Sequence, residues 1–261
     1  MKDDGFRTLV GDECFYQKYD KEGKLMGMLL THVDDFIYNG NEEFEKHVED
    51  LFKKELSVSK VEKDSFRFCG LDIKQETGKI VVSMEDYAEA IIETEIPKRA
   101  KNEDKLNEDQ MTVMRRLAGQ TQWLAQQCRM DISYGAHQLS KRSRQATIKN
   151  LKYANSLVKK VKSRVSRVEY KNIGREEDIV VFGFSDTDCK AGEKSTGGQI
   201  TLIGNKNDDR VSPILWKTKL IQKACSAPKD AETISLGIAA DMATDTAVSY
   251  THLTLPTKRI V

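Results

Sequence analysis

No apolar run in the 261-residue sequence approaches the roughly 18 residues that a bilayer-spanning helix requires. The opening Met1-Lys2-Asp3-Asp4 does not begin a signal peptide. The five cysteines (Cys14, Cys69, Cys128, Cys189, Cys225) are far apart, odd in number and never spaced as Cys-x-x-Cys. That pattern argues against a disulfide scaffold and against a zinc site, and fits a reducing, intracellular and cytoplasmic setting. The four histidines are scattered, so a histidine-based metal cluster is not expected. What remains is a soluble, globular and rather polar composition, with 39% hydrophobic and 32% charged residues. The length allows one large domain or two small ones, each with a real core.

A second absence is local. Residues 141–166 hold nine Lys or Arg side chains and no Asp or Glu: Lys141, Arg142, Arg144, Lys149, Lys152, Lys159, Lys160, Lys162 and Arg164. The net charge of +1 hides this, because acidic residues are concentrated elsewhere, as at 42–55, where six acids face three lysines. The plain reading of a charge run is a solvated helix face. Like charges without compensating acid repel, however, so an anionic partner such as nucleic acid is the alternative.

The stretch that organises the chain is Leu29-Leu30-Thr31-His32-Val33-Asp34-Asp35-Phe36-Ile37-Tyr38. Apolar runs at 25–31 and 36–38 read as strands, and Asn39-Gly40 reads as a turn closing the second. A hairpin of this kind carries Asp34 and Asp35 at its tip. Two carboxylates there offer hard oxygen ligands to Mg²⁺, which takes its other ligands from water and substrate phosphates. The bland alternative is that Asp-Asp simply forms a turn.

An apolar strand, aromatic-Val-Asp-Asp and a second apolar strand resemble motif C of reverse transcriptases. The surrounding sequence is similar to the copia-type retrotransposon polymerases, whose pattern is Tyr-Val-Asp-Asp followed by an aliphatic residue. Here His32 replaces the tyrosine and Phe36 the aliphatic. After Asn39-Gly40, Asn41 can cap a helix whose Phe44, Val48, Leu51 and Phe52 share one face. A strand at 13–19, a hairpin of 66–73 with 79–83 turning at Thr77-Gly78, and a helix opened by a capping box at 83–86 complete a ββα–ββα order. That order suits the lower part of a polymerase palm.

Residues 98–110 are dense in charge and read as a linker, and 111–127, 132–142 and 147–166 read as helices. Leu117, Trp123 and Leu124 are expected in a core or interface. In the last helix Ile148, Leu151, Ala154, Leu157, Val158, Val161 and Val165 form the buried stripe. Arg115-Arg116-Leu117-Ala118-Gly119, Trp123-Leu124-Ala125, Arg129-Met130-Asp131-Ile132 and Leu139-Ser140 are similar to the copia segment joining the palm to ribonuclease H. Strands at 179–184, 199–203 and 211–217 and a helix at 231–240 match the opening of a ribonuclease H-like fold. Ser185-Asp186-Thr187-Asp188, Ser195-Thr196-Gly197-Gly198, Ile214-Leu215-Trp216-Lys217 and Asp230-Ala231-Glu232 stand where the family has its motifs, with Cys189 in place of a tryptophan.

The resemblance implies an α+β chain. It would comprise the C-terminal part of a palm (1–97), a charged linker (98–110), a helical connection (111–170) and the N-terminal part of an incomplete ribonuclease H-like α/β domain (171–247). The tail 248–261 matches nothing in the family and looks unrelated. By the same resemblance, Asp34 and Asp35 would hold Mg²⁺ (or Mn²⁺) for DNA synthesis, and Asp186 with Glu232 would hold it for cleavage of hybrid RNA. The partners implied are an RNA–DNA hybrid or primer-template, deoxynucleotides in the full-length protein, and the missing palm and ribonuclease H parts, within a virus-like particle. Neither site is complete, so the isolated chain is expected to be inactive. A catalytically dead nucleic-acid-binding module, or a structural protein whose acidic turns are only turns, remain as alternatives.

Overall fold

The structure, a computed structural model, describes residues 4–9, 12–56, 58, 60–189, 194–223 and 225–254. The chain divides into two compact units, Met1–Gly70 with Val248–Val261, and Leu71–Ala247. Both mix helices with antiparallel sheets. Among the described residues no helix is long and apolar enough to cross a membrane.

The first unit is a four-stranded antiparallel sheet in the order β1 (Arg7–Leu9), β2 (Asp12–Tyr19), β3 (Leu25–His32), β4 (Asp35–Gly40). Helix α1 (Glu42–Glu55) packs on one face. Gly27 and Gly40 are cross-strand partners, and a Cβ on either would come within 2.3 or 2.4 Å of the Phe44 ring. The two glycines therefore open the gap that Phe44 fills, beside Phe6, Leu29, Val48 and Phe52. As expected, Asn41 caps α1, its Oδ1 accepting from the Phe44 N–H at 2.9 Å. Asn39-Gly40 is not the expected turn. It is the end of β4, because the gap for Phe44 requires Gly40 in the sheet. The expected strand at 66–73 also breaks: β5 (Ser65–Phe68) ends at a turn in which Cys69 and Gly70 have φ of +50° and +80°.

In the second unit β6 (Leu71–Glu76) and β7 (Lys79–Ser83) form the expected hairpin about Gly78, whose φ is +76°. The expected capping box at 83–86 is not made. Helix α2 (Glu85–Ala90) starts without a side-chain cap, since Met84 is 3% exposed and held in the core. The segment read as a linker is tied down: Leu106 N–H bonds Ala146 O, Ile148 N–H bonds Asp104 O and Lys149 N–H bonds Asn102 O. Asn107 and Gln110 then form a reciprocal capping box for α3 (Glu108–Gln127).

A 3₁₀ turn at Met130–Ile132 leads into α4 (Ser133–Arg142), followed by α5 (Ile148–Ser163) and β8 (Val168–Lys171), which pairs with β7. The α5 stripe is buried from Ile148 to Val161, as its spacing predicts. Val165 is the exception. It lies beyond the helix end and is 70% exposed. Leu117 and Leu124 are fully buried, whereas Trp123 points outward at 43% exposure.

The remainder is an antiparallel meander, β9 (Ile179–Asp188), β10 (Thr196–Asn205) and β11 (Val211–Leu220), in the sheet order β11-β10-β9, with helix α6 (Pro228–Thr254). Helix α6 is much longer than the expected 231–240 and continues into the residues set aside as a tail. It covers one face of the meander: a Cβ on Gly183 would meet Ala239 O at 3.1 Å, and one on Gly197 would meet Ser235 Oγ at 3.0 Å. The other face receives the helical segment, with Trp216 Nε1 donating to Ala125 O at 2.7 Å.

Candidate functional site

The acidic hairpin forms where the sequence places it, with one change of detail. Strands β3 and β4 are joined by a two-residue turn, Val33-Asp34, and Asp35 is already the first residue of β4, opposite His32. Asp34 alone is at the tip. Asp35 shares a sheet face with His32, whose ring meets Phe68 edge-on at 6.4 Å. Both carboxylates are exposed. Val33 has φ of +55° and is 85% exposed. A β-branched side chain is poorly suited to that conformation, and nothing in the packing rewards it here. Cys69 lies close enough that burial, with the Asp35 charge, pushes its thiol pKa up.

The donor chemistry at the tip fits a hard divalent cation, since carboxylate oxygens suit Mg²⁺ and Mg²⁺ needs as few as one or two of them. Among the described residues no group of three or more His, Cys, Asp or Glu side chains converges as a metal site.

Asp186 and Glu232 are not brought together. Side chains alternate along β9, and Gly183 faces α6, so Ser185 and Thr187 share its face while Phe184, Asp186 and Asp188 point the other way. Glu232 is an exposed residue of α6 and therefore belongs to the opposite side of the sheet. The contact from α6 to this position is to backbone: Ser235 Oγ lies 3.4 Å from Asp186 O. The Asp186 side chain instead takes the Thr187 N–H on Oδ1 at 2.8 Å and borders a pocket of ≈ 320 Å³ shared with Met130, Ser133 and Trp216. The residues present do not fit a metal shared between Asp186 and Glu232.

The nine basic residues divide into two sets. Lys152 Nζ donates to Asn102 Oδ1 (2.9 Å), Lys160 Nζ to Asp131 O (2.9 Å), Lys141 Nζ to Lys194 O (3.4 Å), and Lys159 pairs with Glu93 (3.5 Å). Arg142, Arg144, Lys149, Lys162 and Arg164 are exposed.

Three polar devices escaped the sequence reading. Arg129, 2% exposed, is clamped by both Asp131 oxygens (2.8 and 3.0 Å) and donates to Val161 O (3.0 Å), locking the 3₁₀ turn to α5. Burial alone would raise the Asp131 pKa, but the Arg129 bonds and charge, with Lys160, hold it below the usual range. Asn155 bonds the Thr94 N–H and carbonyl (3.0 and 2.7 Å). Tyr134 donates a short hydrogen bond to Asp188, and that bond, with burial, pushes its phenol up to about 12. The Arg-x-Asp spacing hinted at the first; the other two join residues too far apart in sequence to signal anything.

No family model matches the sequence, and no curated protein matches it either. A solved foamy viral protease-reverse transcriptase in complex with an RNA/DNA hybrid is similar in structure, at a TM-score of 0.48 and 15% identity. The match covers 83% of this chain and 28% of that one. A likeness this coarse assigns no function.

Proposed function

We propose that the chain is a nucleic-acid-binding fragment of a copia-type Pol polyprotein, comprising the end of a reverse transcriptase palm, its helical connection and the first part of a ribonuclease H-like domain. The observation that carries this reading is the β3–β4 tip, where a strained, solvent-exposed Val33 sits between His32 and an acidic pair. Strain at an exposed position persists where the surrounding structure imposes it, and such positions cluster at functional sites. The motif blocks from 115 to 232, in family order, support the same reading.

In the full-length protein Asp34 and Asp35 would hold Mg²⁺ (or Mn²⁺). The ion would neutralise charge developing on the phosphate oxygens during nucleotidyl transfer. This chain's own part is to present the two carboxylates on a rigid hairpin and to hold an RNA–DNA hybrid or primer-template through phosphate contacts from Arg142, Arg144, Lys149, Lys162 and Arg164. Deoxynucleotides and the remaining palm and ribonuclease H parts belong to the full-length protein.

For the C-terminal part a second reading is favoured by the placement of Asp186 and Glu232 on opposite faces. There the segment acts as a catalytically dead binding module. Hybrid binding measured by fluorescence anisotropy tests the common core of both readings. The binding constant should fall steeply between about 50 and 200 mM salt, by roughly 500-fold if each of the five basic residues neutralises one phosphate. Salt-insensitive binding, or none, would sink both.

A further inference from the structure

Phe184, Ile200 and Trp216 are direct cross-strand partners on β9, β10 and β11 and form one row across the meander. The next row is Asp186, Gly198 and Thr218. Gly198 leaves a gap between the other two, since a Cβ there would meet nothing within 4 Å. With Met130 and Ser133 as a wall, the result is a slot of ≈ 320 Å³ with an apolar, ring-bearing floor and a carboxylate at one end.

The floor is held in place before any ligand arrives. The Trp216 indole N–H is already spent on Ala125 O, and the Phe184 ring lies over Phe182 at 25° and 6.5 Å between centroids. Phe184 is nevertheless 54% exposed. Asp186 Oδ1 takes a backbone N–H, and Oδ2 has no partner among the described residues.

We propose that this slot receives an unpaired nucleobase carrying an exocyclic amino group. The ring would lie on Phe184 and Trp216, and the amine would donate to Asp186 Oδ2. Stacking on aromatic side chains is available to any base, but a carboxylate accepts only from an N–H, and cytosine presents its N4 amine where uracil presents the O4 carbonyl. A carbonyl in that place is repelled.

The occupant is a base of a strand rather than a free ring because Lys217 lines the slot with Asp186 and can meet a phosphate. Asp188 is two residues along β9 on the same face, about 7 Å away. It is bonded to Tyr134 of α4, whose environment includes Arg142. Phosphates held at the end of α4 would leave the next base within reach of the slot. That the occupant belongs to a nucleic-acid strand rests on the function proposed above; the slot's preference among bases does not.

Trp216 fluorescence reads the site directly. In a Trp123→Phe background Trp216 is the sole indole, and Trp123 lies outside the slot. Cytidine and uridine lack phosphates, so their binding does not depend on the basic residues. Saturable quenching by cytidine is expected, with uridine weaker on the order of fivefold. Phe184→Ala should weaken cytidine by roughly tenfold or more. Asp186→Asn should bring cytidine and uridine level. Gly198→Leu, which grows into open space, should block both by a route that leaves the floor intact. Non-saturable quenching, equal binding of the two nucleosides by the parent, or cytidine binding untouched by Gly198→Leu would each overturn the site. Cytidine binding without hybrid binding would overturn the broader function alone, and the reverse result would overturn the slot alone.

Discussion

Val33 holds φ of +55° with its side chain 85% exposed. For an L-residue that conformation costs about 1–2 kcal/mol, while glycine introduces about 0.5–1 kcal/mol of extra unfolded-state entropy. Val33→Gly should therefore stabilise the chain by roughly 0.5–1 kcal/mol, seen as a higher urea midpoint at unchanged slope. Arg129 presents the opposite case, a guanidinium only 2% exposed whose charge is met by Asp131. Asp131→Ala strands that charge, and a loss of about 3 kcal/mol or more is expected in denaturant titration. The Asp131 carboxyl is held below the usual range, so its contribution is complete above that range and disappears as pH falls through the depressed value. Tyr134 works in the alkaline direction. Its phenol is raised from 10.0 to about 12, chiefly by the bond to Asp188. The stability it contributes is complete below pH 10.0 and is lost as pH climbs toward about 12. Tyr134→Phe should show a smaller loss than the parent when the thermal midpoint is followed over that window, since Tyr19, Tyr38, Tyr87 and Tyr170 are raised as well.

At the scale of elements, α5 separates two roles by face. Leu151, Ala154, Leu157, Val158 and Val161 are buried, each large side chain contributing about 1.5–3 kcal/mol, while the lysines occupy the remaining circumference. Lys152, Lys159 and Lys160 answer groups of the fold itself. Lys149 and Lys162 are exposed, with no ion pair of their own among the described residues. Lys149→Ala and Lys162→Ala should each lower the slope of log K against log salt by about 1 and leave the thermal midpoint unchanged. Lys160→Ala should instead lower the midpoint. The β3–β4 hairpin and the α1 cap follow from local chemistry and were legible in the sequence, whereas the exact two-residue turn at Val33-Asp34 was not. The missing cap of α2 and the break at Cys69-Gly70 were not legible either. In the first, burial of Met84 outweighs the local capping signal. In the second, a non-glycine residue adopts a positive φ that no pattern announces.

For the whole molecule, no group of three or more His, Cys, Asp or Glu side chains converges among the described residues. The hairpin pair by itself is too few to fix the two ions of nucleotidyl transfer. Primer extension with Mg²⁺ and a labelled primer-template should accordingly show no processive synthesis. Full-length product at a rate above the Asp34→Asn control would contradict the fragment reading. The separation of Asp186 from Glu232 also matters at this scale. The family resemblance pairs them on a shared ion, but the parity of the strand puts them on opposite faces of the sheet.

The sequence by itself determined the helices α3 to α5, the buried stripe of α5, the α1 cap and the acidic hairpin, because each is written in local periodicity or turn chemistry. Only the tertiary structure decided which way Asp186 faces, which lysines are spent on the fold, and that Arg129 is buried. Those outcomes depend on packing between segments far apart in the chain: α6 seated on Gly183 and Gly197 assigns the faces of the meander, and the Val161 carbonyl draws Arg129 inward. A one-residue change of register would exchange every face of β9 while leaving its local pattern just as good a strand.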